Sequence, residues 1–529
     1  MSKKVAIFDS TLRDGAQGEG ISFSVEDKIK IVKTLDELGI SYIEAGNPGS
    51  NPKDLEFFSK IKDVKLNNSK IVAFGSTRRC NSTVEEDNNI KSLVSAGVDT
   101  VAIFGKSWDF HVTDIIHTTL EENLKMIGET IAYLKGLGKE VIFDAEHFFD
   151  GYKNNADYAM KTLETAVNSG ADCVALCDTN GGCFPDEIFT ITKTVCDKFN
   201  VSVGIHCHND CGMAVANAIM AVQAGADNIQ GTFTGFGERC GNTTLSTVIA
   251  NLQAKKEYEC IPNDNIESLT HTARKISEIA NFKLSEIMPY VGKSAFAHKG
   301  GMHIDGVSKA PHSFEHIDPA VVGNERKFLT SEVAGRSTIL SMIKKIDLSI
   351  EKNSPETDLI IKKLKEYEYN GYQFEGAEGS FELLIRKTLG KYKPFFELVN
   401  FKTIGEHPYS EDGSASAVIK VIVDGQTEIT AAEGNGPVNA LDKALRKALE
   451  VFYPELSQVH LTDYKVRVLD GKTATASKVR VLIESSDGND NWTTVGVSND
   501  IIEASWIALV DSIEYKLIKD IECKFKAYL

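Results

Sequence analysis

An α/β architecture, a (β/α)8 TIM barrel followed by a helical linker region and a duplicated β-rich/α domain, is predicted by three features of the 529-residue chain. Short apolar, β-branched runs recur about every 30 to 40 residues through its first half. Amphipathic helical patterns separate these runs, and the C-terminal part repeats itself at an offset of about 63 residues. Strands that read as near-continuous apolar runs belong to parallel sheets covered by helices. Eight such units in about 260 residues fit a closed barrel better than an open doubly wound sheet.

The eight runs are VAIF from Val5, SYIEAG from Ser41, IVAFG from Ile71, VAIFG from Val101, VIFDAE from Val141, CVALCD from Cys173, VSVGIH from Val201 and NIQGTF from Asn228. Between the first two, Ser24 caps a helix whose Val25, Ile29, Val32 and Leu35 share one face before Gly39 stops it. After about Pro262 helical patterns take over, interrupted by AHKGGMHIDGV and KAPHSFEHIDPAVVG. From Lys393, LVNFKTI answers LTDYKVR and ALDKAL answers ASWIAL. Each half reads as a few strands, a glycine loop (EGNGPVNA or VGVSNDI) and one helix. The expected domains are therefore a catalytic barrel over 1–262, helical linker subdomains over 263–392 and a duplicated module over 393–529. Such a duplication suits dimerisation and ligand binding better than catalysis.

Composition narrows the function. A net charge of −17, from 58 basic and 75 acidic residues, argues against nucleic acid and anionic membranes as partners. Ten cysteines without CxxC pairs read as reduced thiols of a cytoplasmic protein. No apolar stretch approaches the ~20 residues of a membrane span.

The chemistry gathers at the predicted C-terminal ends of the strands. His206 and His208 in GIHCHNDCGMAVANA lie two apart, so in a strand both point to one face. They are either packed and hydrogen-bonded or aimed at a ligand. Strands one, seven and eight are expected to be neighbours, which brings Asp14 of STLRDGAQ and Asn242 of GFGERCGN toward the pair. Two imidazoles, a carboxylate and an amide oxygen make a plausible divalent-metal site. Glu146 in FDAEHF is a general base or an ion-pair partner. Thr179 in CDTNGG is a hydroxyl donor or an ordinary loop residue. Glu44 could contact Arg13, and Phe104 and Phe143 could narrow a pocket.

STLRDGAQ, HCHNDCGMAVANA and GFGERCGN, in this order, resemble the acyltransferase branch of the DRE-TIM metallolyases, the isopropylmalate, homocitrate and citramalate synthases. FDAEHFFDGYK, CDTNGGCFP and GERCGNTTL are most similar to the citramalate-forming members, and the duplicated module resembles their effector domain. The resemblance implies Asp14, His206, His208 and Asn242 as ligands of a divalent metal, Mg or Mn first and Zn or Co next. It implies Arg13 polarising a keto oxygen, Glu146 and His303 moving protons, and Thr179 binding the carboxylate of an α-keto acid, with Gln17 a further substrate-binding candidate. The implied reaction is a Claisen-type condensation of acetyl-CoA with a keto acid, pyruvate foremost, in a homodimer under feedback by a branched-chain amino acid, isoleucine foremost. Gly434, Gly436 and Pro437, with Gly496 and Ser498, are the candidate effector loops. Relatives often carry a tyrosine just before EHIDP, where this chain has Phe314. The competing readings are an isopropylmalate or homocitrate synthase, a metal-dependent lyase, a biotin-dependent carboxyltransferase subunit, and an inactive amino-acid sensor.

Overall fold

The computed structural model describes residues 3–329, 343–344, 346, 350–351, 354–374, 376–410, 413–469 and 477–527. The chain forms two compact units, Met1–Phe296 with Glu315–Arg326, and Ala297–Phe314 with Lys327–Leu529.

The first unit is built on a closed barrel of eight parallel strands. These are β1 (Ala6–Asp9), β2 (Tyr42–Glu44), β3 (Lys70–Ser76), β4 (Thr100–Lys106), β5 (Glu140–Glu146), β6 (Cys173–Asp178), β7 (Ser202–Cys207) and β8 (Asn228–Gly231). Each apolar run thus forms a strand, in sequence order around the barrel. Closure comes from Ala6–Asp9 pairing with Asn228–Gly231. Strand β8 therefore lies between β1 and β7, a refinement of the expected neighbourhood. The helix Val25–Leu38 begins with a capping box, Ser24 accepting from the Asp27 N–H while Asp27 reaches back to Ser24, and it ends at Gly39.

Alternation along the strands sorts side chains into two populations. Phe8, Val72, Ala102, Ile142 and Cys173 make a buried plug inside the barrel, joined by Tyr42 and Phe74. Their chain neighbours Ile7, Ile43, Ala73, Val101, Ile103, Val141 and Phe143 pack outward in the large core shared with the helices. Phe104 stacks on Phe74, with ring centroids 5.4 Å apart, so it lies on the inner face. Of the two phenylalanines considered for the pocket, Phe143 points away from it.

The second unit contains two three-stranded antiparallel sheets, each followed by a helix. The first comprises β9 (Glu397–Ser410), β10 (Gly413–Val423) and β11 (Gln426–Gly434) with the helix Pro437–Leu449. The second comprises β12 (His460–Val468), β13 (Val479–Ser486) and β14 (Asn491–Ser498) with the helix Ile501–Ala527. The duplication extends to single bonds: Thr430 Oγ1 donates to the Ala444 carbonyl and Thr494 Oγ1 to the Ala508 carbonyl, both at 2.7 Å. One buried core runs through both halves, with Leu441, Leu445, Trp492 and Leu509 among its members.

The Gly496 position corrects an expectation, because it lies inside β14, opposite Val481, and not on a loop. A Cβ there would sit 2.0 Å from the carbonyl oxygen of Ala504, so glycine is what lets the helix rest on the sheet. Replacing Gly496 with alanine should destabilise the second unit by roughly 1–3 kcal/mol, the usual cost of overpacking. Urea unfolding followed by tryptophan fluorescence checks this, since Trp492 and Trp506 both lie in that core. An unchanged midpoint contradicts the packing role.

Candidate active site

The residues that follow β1 are fixed by Ser10. Its carbonyl accepts the N–H groups of Arg13 and Gly15, and its hydroxyl accepts the Asp14 N–H at 3.2 Å while donating to Glu44 Oε2 at 2.5 Å. Arg13 is then held from two sides, Nε to Glu44 Oε2 at 2.7 Å and Nη1 to Asp14 Oδ2 at 3.0 Å. Its guanidinium lies 3.9 Å from the centre of the Phe74 ring, a cation–π contact. Arg13 and Asp14 thus form one ion pair at the strand exit, with Glu44 as its third member.

His206 and His208 are both buried at the mouth, and Asp14, His206 and His208 can each offer one ligand atom within 4.8 Å of the others. Among the described residues this is the cluster of three or more His, Cys, Asp or Glu side chains with such spacing. The two Nε2 atoms face each other at 3.4 Å, and His206 Nε2 lies 3.5 Å from Asp14 Oδ2. His208 falls just past β7, yet its backbone bridges to Asn242, which keeps the extended geometry and the shared face.

Asn242 is buried beside the histidines, with its Nδ2 3.4 Å from His206 Nε2. In this orientation the amide shows its nitrogen to the cluster, and a half-turn of the amide is needed before its oxygen can act as a ligand. A Cβ on Gly237 would lie 2.0 Å from Asn242 Oδ1, so the glycine-rich loop makes room for this side chain.

Burial depresses both imidazoles, His206 to about 4 even though Asp14 pulls it upward. Burial also opposes the charge on Asp14, but Arg13, His206 and His208 outweigh it and hold the carboxyl below its ordinary value. Neutral imidazoles beside an ionised carboxylate are the donor states that a divalent cation requires. Asp14 Oδ1, His208 Nδ1 and Asn242 Oδ1 are buried without hydrogen-bond partners in the structure. The unpartnered oxygen of Asp14 and the two neutral rings facing each other through Nε2 fit a divalent metal.

Several contributors were invisible in the sequence. Gln230 on β8 connects His206 Nδ1, at 3.0 Å from its Oε1, to Asp144 Oδ1, at 2.8 Å from its Nε2. Burial pushes Asp144 up to about 7, helped by Glu44, and Asp9 also up to about 7. Lys106, at the end of β4, forms a close ion pair with Glu146 Oε2. The available signal for Gln230 was a polar residue at an inward register of a barrel strand, and for Lys106 a cation level with Glu146, its register partner.

The remaining candidates lie as follows. Thr179 Oγ1 accepts the His147 N–H at 2.9 Å, and its carbonyl accepts from Arg239. Gln17, exposed on a 3-10 turn, lines a cavity of about 330 Å³ together with Arg13, Asn47, Lys53 and Phe74. His303 belongs to the second unit, on the helix Gly301–Lys309, where its ring stacks on Phe314 at 4.2 Å. Gly434 ends β11, Gly436 caps the helix that Pro437 begins, and Asn439 Oδ1 already accepts the Asn435 N–H. Ser498 ends β14, and its hydroxyl donates to Glu503.

Three family models divide the chain between them. The HMGL-like model matches residues 4–282, the homocitrate synthase post-HMGL domain-like model 290–371, and the LeuA allosteric (dimerisation) domain model 375–517. The (R)-citramalate synthase of Aquifex aeolicus is 53% identical over 524 residues, covering 99% of each chain. That of Geobacter sulfurreducens is 51% identical over 519 residues and 98% of each chain. A probable 2-isopropylmalate synthase of Methanopyrus kandleri is 33% identical, over 97% of this chain and 98% of its own. Agreement at half of all positions along the full length of both partners, together with an HMGL-like match to more than half the chain, places it: the chain belongs to the (R)-citramalate synthase family of HMGL-like proteins.

Proposed function

We propose that this chain condenses acetyl-CoA with pyruvate to form (R)-citramalate and free CoA, an acyl transfer in which the acyl group becomes alkyl. The observation that carries the reading is the identity of about half of all positions, over essentially the whole chain, to (R)-citramalate synthases. The buried Asp14, His206 and His208 cluster beside Arg13 supports it.

Asp14, His206 and His208, with Asn242 after rotation of its amide, would hold a divalent ion, which would supply Lewis-acid polarisation of the keto acid. Arg13, immobilised by Glu44 and Asp14, balances the negative charge that grows on the keto oxygen during attack. Glu146 takes a proton from the acetyl methyl group, and Lys106 fixes that carboxylate at the mouth. The enolate carbon then forms the new C–C bond to the keto carbon, and water cleaves the thioester. Thr179 has a hydroxyl proton to donate to the keto acid carboxylate, and the proton taken by Glu146 goes back to the alkoxide oxygen. Phe74 and Phe104 form an apolar wall beside Arg13 suited to the methyl group of pyruvate.

The proposal extends to organisation. Residues 1–262 carry catalysis, 263–392 link, and 393–529 bind a branched-chain amino acid, isoleucine foremost, and hold a homodimer in the cytoplasm. The LeuA allosteric (dimerisation) domain match over 375–517 supports the regulatory and dimeric parts. No helix among the described residues is long and apolar enough to cross a membrane.

Four measurements test this reading. In a CoA-release assay pyruvate should outrun longer α-keto acids, and Phe104→Ala should shift the ratio of kcat/KM toward 2-oxoisovalerate by roughly 10-fold or more. An unchanged ratio removes Phe104 from the pocket wall. His208→Ala should lose metal affinity and turnover together with an unchanged circular dichroism spectrum, and full activity in that variant sinks the metal assignment. Glu146→Gln should lower kcat by roughly 100-fold while pyruvate affinity persists. The converse, lost affinity with retained kcat, makes Glu146 a binding residue. Calorimetric titration with isoleucine, leucine and valine should show saturable binding to the full chain. Binding of none of them leaves the C-terminal module with dimerisation alone.

A further inference from the structure

Gln230 has no assigned part in the chemistry above, yet its side chain joins two elements of the site. It projects from β8 into the barrel and is fully buried. Both ends of its amide are engaged, Oε1 with His206 Nδ1 at 3.0 Å and Nε2 with Asp144 Oδ1 at 2.8 Å. A buried primary amide can be turned either way, and the choice has a chemical consequence. With Oε1 toward His206, the imidazole must carry its proton on Nδ1, and Nε2 presents a lone pair to Asp14 and His208. With Nε2 of the amide toward His206, Nδ1 becomes the acceptor and the proton moves to the ring nitrogen that faces the cluster, where it blocks ligation. His206 alone cannot decide between these states, and neither can Gln230.

Asp144 decides it. Its Oδ1 accepts the amide nitrogen at 2.8 Å, as it does when the carboxyl is ionised or carries its proton on the other oxygen, and in both of these states it holds the amide in this orientation. We propose that Asp144 and Gln230 are positioning residues for the metal centre, acting in series to keep the His206 proton on Nδ1 and its Nε2 lone pair directed at the ion. The proposal rests on the metal reading of Asp14, His206 and His208. It adds a role for two residues that touch neither the ion nor the substrate. A histidine ligand whose other ring nitrogen donates to a fixed acceptor is the common arrangement in metalloproteins, and loss of that acceptor weakens binding by about 10–100-fold. Here the acceptor is itself neutral and reversible, so a second residue is needed to lock it.

The experiment uses the full-length protein, with Mn2+ as the probe and two readouts. Calorimetry gives Mn2+ affinity, and 15N spectra of histidine-labelled, metal-free protein report which ring nitrogen of His206 is protonated, its signals identified by their loss in His206→Asn. Gln230→Met, close in size but without an acceptor amide, should weaken Mn2+ binding by about 10–100-fold and shift the His206 tautomer equilibrium. Gln230→Glu, which restores an acceptor oxygen, should recover most of the affinity. Asp144→Asn, which can donate back to the amide and let it turn, should shift the tautomer in the same direction, and it serves if Gln230→Met does not fold. Mn2+ affinity within about twofold of the unaltered chain and an unchanged His206 tautomer in the folded variants overturn the proposal. No Mn2+ binding by the unaltered chain sinks the metal reading itself, and the proposal with it. Retained wild-type binding with unchanged variants sinks the positioning roles alone.

Discussion

Pairing of β1 with β8 is the constraint from which the site follows. Ala6–Asp9 is a short strand, and only by inserting between Tyr42–Glu44 and Asn228–Gly231 does it complete the ring. That closure sets the turn carrying Arg13 and Asp14 beside the loop of Asn242 and one strand from His206. Residues more than 190 positions apart in sequence then share a volume a few ångströms across. Thr11 strengthens the junction, because its hydroxyl accepts the Phe233 N–H at 2.9 Å. The apolar plug of Phe8, Val72, Ala102, Ile142 and Cys173 closes the barrel beneath. Polar chemistry is thereby confined to the C-terminal mouth, where the connecting loops can vary without disturbing the barrel.

Charge is the second constraint. Arg13 faces Glu44, Asp14 and Asp144, so buried carboxyl groups outnumber the one guanidinium at the centre of the mouth. Removing so much like charge from water is costly, and the site answers in two ways. Burial drives Asp144 toward neutrality and raises Glu44, while Asp14, next to Arg13 and the histidines, keeps its charge. A cation added beside Asp14 relieves the same imbalance, which is why a metal fits this donor set better than a second anionic group. The imidazoles remain neutral and so add ligands without adding repulsion.

What the sequence revealed and what it concealed divide along physical lines. The strands were legible because parallel strands buried on both faces are continuous apolar runs, and the helix after Ser24 because its caps are local. The inward pair His206 and His208 was legible from period two alone. Gln230, Asp144 and Lys106 were not, since each acquires meaning only from a partner on another strand: Gln230 from His206, Asp144 from Gln230, Lys106 from Glu146. The inward direction of Phe104 and the outward direction of Phe143 were likewise unreadable without the register that links β4 to β5. Gly496 misled for a related reason. In sequence it sits in what reads as a turn, but its smallness serves the contact between a strand and the Ala504 backbone.

The repeated module shows how far duplication preserves physics. Both halves keep the threonine bond from the third strand to the helix, Thr430 to Ala444 and Thr494 to Ala508, because an inward hydroxyl beside a helix carbonyl must be satisfied in either copy. They differ where the sheet hands over to the helix. The first copy turns through Gly434, Asn435 and Gly436 into Pro437, and the second through Ser498 and Asp500 into Ile501, with Asp500 Oδ1 accepting the Ile502 N–H. In the first copy Gly434 leaves room for the start of the helix, where a Cβ would lie 2.6 Å from the Ala440 nitrogen, while the second copy caps its helix with the Asp500 side chain. The two halves therefore share sheet order and core but differ in surface at the strand-to-helix turns.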